Sequence, residues 1–212
     1  MTNHEHGAWH REVISASTEA TLNVLRDANL LDGCYLAGGT ALALQLGHRL
    51  SLDLDFFSQE HFDEGRLIQD IQKLSGFALV AKAPYTLHAT IKETKVSFLG
   101  YAYPALFPTS KFREVAVAAP QDIACMKVSA IASRGTKRDF VDLYVCAKQL
   151  GLAEILRLFD KKYAQSNFSR IHILKSLTFF SDAEKDPMPH MLVALGWDTV
   201  KQFFLMEVPR LL

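Results

Sequence analysis

The sequence predicts an α/β (α+β) fold: a mixed sheet with flanking helices in the first half, then a mostly helical second half. Three observations predict it. Short apolar runs rich in strand formers alternate with helical stretches up to about residue 104. Beyond Pro104 the apolar residues recur almost throughout at three- and four-residue spacing. Finally, 212 residues with 49% hydrophobic and 22% charged side chains are enough for one large domain or two small ones, and too apolar for a disordered chain.

Taken in order, the spacing of Val13, Ala16, Ala20 and Val24 predicts an amphipathic helix from about His10 to Ala28. Cys34–Ala37 reads as a short strand. Gly38-Gly39 turns it, and Thr40 is expected to cap a helical stretch from Ala41 to Leu46, with Gly47 closing it. From Ser51 to Phe57 the residues alternate, so Leu52, Leu54 and Phe56 are expected on one face and Asp53 and Asp55 on the other. Asp63–Leu74 has helical spacing, followed by strands at 77–80, 87–91 and 95–99 with turn residues between them. Helices are expected over 120–134, 136–150, 152–163, 169–180 and 198–212. Pro104, Pro108 and Pro120 bracket a crossing segment, which places a boundary near residue 105. Residues 1–104 form the α/β part, and 105–212 a helical region packed on it.

Composition excludes several functions. Twenty-three basic residues balance twenty-three acidic ones, so no whole-molecule field attracts nucleic acid or an anionic membrane, and any such partner must be held by a local patch. Three widely spaced cysteines without a CxxC pair argue against a disulfide framework or a thiolate zinc site. The stretch MTNHEHGAWHREV carries no apolar h-region, and nowhere do ~18 apolar residues run together, so neither export nor membrane spanning is expected. No membrane association is therefore expected, and the cytoplasm is the expected location.

Chemistry concentrates in residues 36–57. Asp53 and Asp55, two apart on an extended segment, put two carboxylates on one face. That geometry suits Mg²⁺, which is usually held by one or two carboxylates plus substrate phosphates. Gly38 and Gly39 remove Cβ atoms, so backbone N–H groups and the Thr40 hydroxyl can approach a phosphate at a helix start. Each motif alone has a bland reading, an edge strand's solvated face or a tight turn. Together they place a phosphate cradle beside a metal-binding acid pair.

Strand, Gly-Gly-Thr, short helix and Asp-x-Asp strand resemble the nucleotidyltransferase superfamily signature of a DNA polymerase beta-like fold. The wording GGTALALQLGHRLSLDLDFFS resembles the AbiEii/AbiGii toxin family in particular. Met126–Tyr144 resembles that family's Lys motif and its basic-Asp-Phe-x-Asp-Leu motif. Leu177–Phe204 resembles its C-terminal region, including Asp186-Pro-Met-Pro189 and Trp197. The resemblance implies Mg²⁺-dependent transfer of a nucleoside monophosphate from an NTP to an acceptor, in relatives often a tRNA end, with toxicity checked by an antitoxin protein. It puts Gly38, Gly39 and Thr40 at the triphosphate, and Asp53 and Asp55 on the metal.

Nucleotidyl transfer usually needs a third carboxylate to assist deprotonation of the attacking hydroxyl. In the superfamily it lies on a later strand beside the Asp-x-Asp, where this chain offers Ser97. Three readings follow: the second metal is dispensed with, Asp139 or another acid substitutes, or the chain binds nucleotide without turnover. Lys127 and Arg134, in line on one helix, could neutralise phosphates, with a solvated helix face as the alternative. Thr136 and Asp139 read as a helix N-terminus, so Asp139 is a capping residue, an orienting partner of Lys127 or Lys137, or the base. Arg134, Lys137 and Arg138, with Lys161 and Lys162, form the dense basic cluster available to RNA. Arg49 is expected near Asp53 or a phosphate. His4, His6 and His10 suggest no site, and the aromatic residues from Phe179 to Phe204 are expected in the core. The expected activity is RNA nucleotidyl transfer as a toxin; the alternatives are transfer to a small molecule and a non-catalytic nucleotide-binding or interaction module.

Overall fold

A computed structural model describes residues 8–211; His4 and His6 lie outside the described residues. The chain forms two compact units, one from the residues up to Pro104 together with Pro108–Ala118, the other from Ala105–Phe107 together with Ala119 onward.

In the first unit a short 3-10 turn, Arg11–Val13, precedes α1 (Ala16–Asp27), which starts where the Ser15 hydroxyl accepts a hydrogen bond from the Thr18 amide. The buried stripe of α1 is Thr18, Thr21, Leu22 and Leu25. Ala16, Ala20 and Val24, expected on that stripe, are exposed, because the restart at Ser15 resets the helical phase and the larger leucines take the core. The remaining elements are β1 (Cys34–Ala37), α2 (Gly38–Leu46), β2 (Leu54–Ser58), α3 (Glu64–Ile71), β3 (Phe77–Ala83), β4 (Thr86–Ile91), β5 (Thr94–Gly100), β6 (Ser110–Phe112) and β7 (Val115–Val117). The strands form one mixed sheet in the order β3-β4-β5-β2-β1-β7-β6. β2 runs parallel to β5 and β1 parallel to β7; the other neighbours are antiparallel.

One face of this sheet is dry. Leu36, Leu54, Phe56, Leu87, Ala89, Ile91, Val96 and Phe98 are all buried there, with the Phe56 and Phe98 rings stacked at 5.3 Å. α1 covers this side, its Thr21 hydroxyl donating to Thr94 at 3.3 Å. The alternate residues Asp55, Phe57, Ser97, Leu99, His88 and Thr90 are only half-buried, so the period-two pattern divides a core face from a face that can meet a ligand.

The sequence pattern does not predict β6 and β7. After residues 105–107 the chain returns to this sheet, where Val117 pairs with Leu36; three-residue strands are too short for alternation to register.

The second unit comprises α4 (Pro120–Ser133), α5 (Lys137–Leu150), α6 (Leu152–Lys162), α7 (Arg170–Ser176) and α8 (Trp197–Glu207). Its core gathers around Phe140, whose ring lies 5.1 Å from Phe180, 5.9 Å from Trp197 and 5.5 Å from Phe204. Phe179, which the pattern also places in the core, is 60% exposed. Buried Asp122 accepts hydrogen bonds from the Leu106 and Phe107 amides, both at 3.0 Å, and from Lys162 Nζ at 2.7 Å. These bonds tie residues 105–107 to the helices. No helix among the described residues is long and apolar enough to cross a membrane.

Candidate active site

The site is built around the turn from β1 into α2. Asp55 is directly opposite Ala37 in the β1–β2 register, one residue before Gly38. Gly38 has φ +68, a left-handed conformation that side chains resist, and a Cβ there would lie 2.9 Å from Asp55 Oδ2. Glycine therefore admits the carboxylate against the turn. A Cβ on Gly39 would lie 2.2 Å from an Arg49 guanidinium nitrogen and 3.3 Å from Ser51 Oγ. The two glycines thus leave room for an acid on one side and a cation on the other.

Thr40 does not cap α2, which already begins at Gly38 with Ala37 as the preceding residue and no side-chain cap. It is buried; its hydroxyl donates to the Asp53 carbonyl oxygen and lies 2.8 Å from Ser51 Oγ. The helix is thereby stitched to the acid-bearing segment. Thr40 fixes the position of Asp53, and its bonds run inward.

Asp53 itself precedes β2, which begins at Leu54. Leu52, expected on the buried face, is 52% exposed, since sheet pairing and its strict alternation start only at Leu54. Arg49 is also unlike an ordinary exposed loop residue: it is buried and donates through Nη1 to the Leu50 carbonyl at 2.9 Å.

The donor set fits a hard divalent cation. Half-buried Asp55 packs against a turn kept open by glycine, with half-buried Asp53 two residues before it, and Mg²⁺ takes one or two carboxylates while substrate phosphates and water supply the rest. Among the described residues no group of three or more His, Cys, Asp or Glu forms a closed metal cage.

Ser97 pairs with Asp55 across the parallel β2–β5 ladder, so a serine does stand on the strand beside the acidic pair. On its other side Ser97 pairs with His88 of β4, and His88 Nδ1 lies 3.1 Å from Ser97 Oγ. Sequence reasoning missed His88. The available signal was its place as the polar residue among Leu87, Ala89 and Ile91 of an alternating strand.

The other expected site residues belong to the second unit. Lys127 and Asp142 are buried, and Lys127 Nζ lies 2.9 Å from Asp139 and 2.7 Å from Asp142. The Lys127 charge is balanced by two carboxylates. Asp139 also receives Arg134 Nε at 3.1 Å and the Thr136 hydroxyl at 2.7 Å, while its amide donates to Thr136 Oγ1, which makes it the third residue of an N-terminal cap. Burial alone would raise its pKa, but Lys127, Arg134 and the hydrogen bonds from Arg134 and Thr136 together hold it at about 2. A carboxylate so stabilised is a weak proton acceptor.

The basic cluster expected from sequence is not one surface. Lys137 is buried with its ammonium 5.1 Å from the Trp197 ring, and Lys162 is buried against Asp122. Arg134, Arg138 and Lys161 are exposed. Tertiary neighbours distant in sequence absorb the other two cations. Asp186, within the motif noted from sequence, accepts from the Lys137 amide at 3.0 Å and so caps α5.

A mixed sheet with a glycine turn, a short helix and an acid-bearing strand is the architecture of a nucleotidyltransferase. MenT4, a nucleotidyltransferase toxin from Mycobacterium tuberculosis H37Rv, has a similar fold, with TM-score 0.57 and 15% identity over 92% of this chain and 85% of that one. The antibiotic-resistance factor ANT(2″)-Ia is similar at TM-score 0.52 and 15% identity, over 70% of this chain and 92% of that one. The model of the nucleotidyl transferase AbiEii toxin family, of type IV toxin–antitoxin systems, matches residues 21–110 and 93–210, and the chain belongs to that family. An uncharacterised Aquifex aeolicus (strain VF5) protein is 39% identical over 184 residues, spanning 84% of this chain and 87% of its own length.

Proposed function

We propose that this protein is a Mg²⁺-dependent nucleotidyltransferase that moves a nucleoside monophosphate from an NTP to a hydroxyl of RNA, a tRNA end in particular, and that its toxicity is restrained by an antitoxin protein. The observation that carries the reading is the packing of Asp55 against Gly38, beside an Arg49 guanidinium set against Gly39. Asp53 and Asp55 would hold the metal, which when bound supplies positive charge to the phosphate oxygens of the NTP. The Gly38, Gly39 and Thr40 amides at the start of α2, with Arg49, orient the triphosphate through hydrogen bonds and charge. Within the second unit Lys127 and Asp139 position one another through their ion pair, with Arg134 on the same carboxylate. The exposed Arg138 and Lys161 add to any attraction for RNA phosphates.

The burial of Lys137 and Lys162 favours a second reading, transfer to a small-molecule hydroxyl, because it thins the basic surface. A relative of similar fold, ANT(2″)-Ia, is known in complex with adenylyl-2″-tobramycin.

The test supplies α-labelled NTPs one at a time with Mg²⁺ and total RNA. Label entering RNA, and lost in Asp55→Asn, supports the proposal. Label confined to small molecules supports the second reading, and NTP binding without any labelled product would leave a non-catalytic module.

A further inference from the structure

Deprotonating the acceptor hydroxyl is the step for which the chain has no obvious base. Ser97 stands beside Asp55 where the family resemblance implies a third carboxylate, and the Asp139 carboxyl is held down at a pKa of about 2 by its ion-pair cluster. A serine hydroxyl by itself is a poor base. Ser97, however, does not stand alone, because the row Ala37–Asp55–Ser97–His88 crosses β1, β2, β5 and β4 on matched register positions. Asp55, Ser97 and His88 all lie on the half-buried face, where alternation leaves them accessible, while Val96, Phe98, Leu87 and Ala89 turn into the core. Neighbouring strands are about 4.8 Å apart, so the imidazole lies two strand spacings from the acid that borders the glycine turn.

We propose that Ser97 and His88 together replace the missing third carboxylate as the proton acceptor for the attacking hydroxyl, an inference that rests on the nucleotidyl-transfer reading above. Ser97 is the catalytic residue, since it meets the acceptor hydroxyl. His88 is the positioning residue that acts through it. With the ring in its Nε2–H tautomer, Nδ1 accepts the Ser97 O–H across the 3.1 Å contact. As the acceptor oxygen forms its bond to the α-phosphorus, the bond from that phosphorus to the bridging oxygen breaks and its electron pair leaves with pyrophosphate. The acceptor proton passes to Ser97 Oγ while the Ser97 proton passes to His88 Nδ1, and the imidazolium later returns its proton to water. On the strands beside His88, the charged residues closest in register are Lys95 on β5, paired with Thr90, Lys82 on β3, paired with Leu87, and Asp55 on β2, paired with Ser97.

The full chain is assayed as wild type, His88→Ala, His88→Gln, Ser97→Ala, the double alanine variant, and His88→Ala combined with Ser97→Asp, each checked for a native melting curve and for Mg²⁺-NTP binding. Loss of a positioned proton acceptor should lower kcat by roughly 10²–10⁴-fold, with NTP affinity unchanged. The double alanine variant should be no slower than either single one, because the pair works as a unit. Ser97→Asp should restore the rate in the His88→Ala background. A His88→Ala enzyme that transfers at the wild-type rate overturns the pairing while leaving nucleotidyl transfer intact. So does a folded, NTP-binding Ser97→Asp rescue variant that stays inactive. If the wild type transfers to no acceptor, the underlying reading fails and this inference fails with it.

Discussion

Replacing Gly38 by alanine should disable the site out of proportion to its effect on the fold. The substitution carries two separable costs. The first is backbone strain: φ is +68 at Gly38, and a non-glycine residue held in the left-handed region costs about 1–3 kcal/mol. The second is the Cβ itself, which would lie 2.9 Å from Asp55 Oδ2 and push the carboxylate away from the turn. Gly33 isolates the first cost, having φ +72 and no atom within 4 Å of the point a Cβ would occupy. At roughly 2–4 °C per kcal/mol for a chain of this size, both Gly33→Ala and Gly38→Ala should lower the melting temperature by about 2–12 °C. Only Gly38→Ala should also weaken Mg²⁺-dependent NTP binding, by roughly tenfold or more if the displaced carboxylate costs over about 1.4 kcal/mol of binding. Calorimetric titration of both variants with Mg²⁺-NTP decides the matter. Equal NTP affinity in the two variants would refute the claim that Gly38 exists to admit Asp55.

Two further predictions concern the second unit. Asp139 falls from an ordinary 3.8 to about 2 in the fold, worth about 2–3 kcal/mol at roughly 1.4 kcal/mol per pH unit. Because the folded-state value is the lower one, this stability is present above about pH 4 and is lost as pH falls through 2. Urea unfolding between pH 5 and 2.5 should show the loss, and an Asp139→Asn variant that kept the wild-type acid slope would contradict the assignment. Lys162→Met leaves the buried Asp122 carboxylate without its cation. It should cost roughly 3–5 kcal/mol, read as an earlier urea midpoint, whereas Lys161→Met at the adjacent exposed position should be nearly neutral.

What is legible in the sequence is what depends on near neighbours along the chain. The strand, glycine turn, short helix and acid-bearing strand appear within residues 34–58, and the five helices of the second unit start within one residue of their expected positions, although α7 stops at Ser176 and α8 at Glu207, short of the expected 180 and 212. Caps and apolar periods are local and act over three or four residues. The phase of α1 departs from its apolar period because a single local event, the cap at Ser15, resets it.

Tertiary structure decided everything that depends on a partner far along the chain. Lys127 is balanced by Asp139 and Asp142 and Lys162 by Asp122, so two cations that the sequence leaves open are engaged inside the helical unit. Thr40 bonds to the Asp53 backbone, and β6 and β7 exist because an adjacent strand, β1, offers unpaired backbone groups to them. His88 gains its significance only from the register that sets it beside Ser97, and through Ser97 in line with Asp55. Side-chain type is written in the sequence, but which charges are neutralised and which hydroxyl meets which imidazole follows from long-range pairing. Local periodicity carries no information about that pairing.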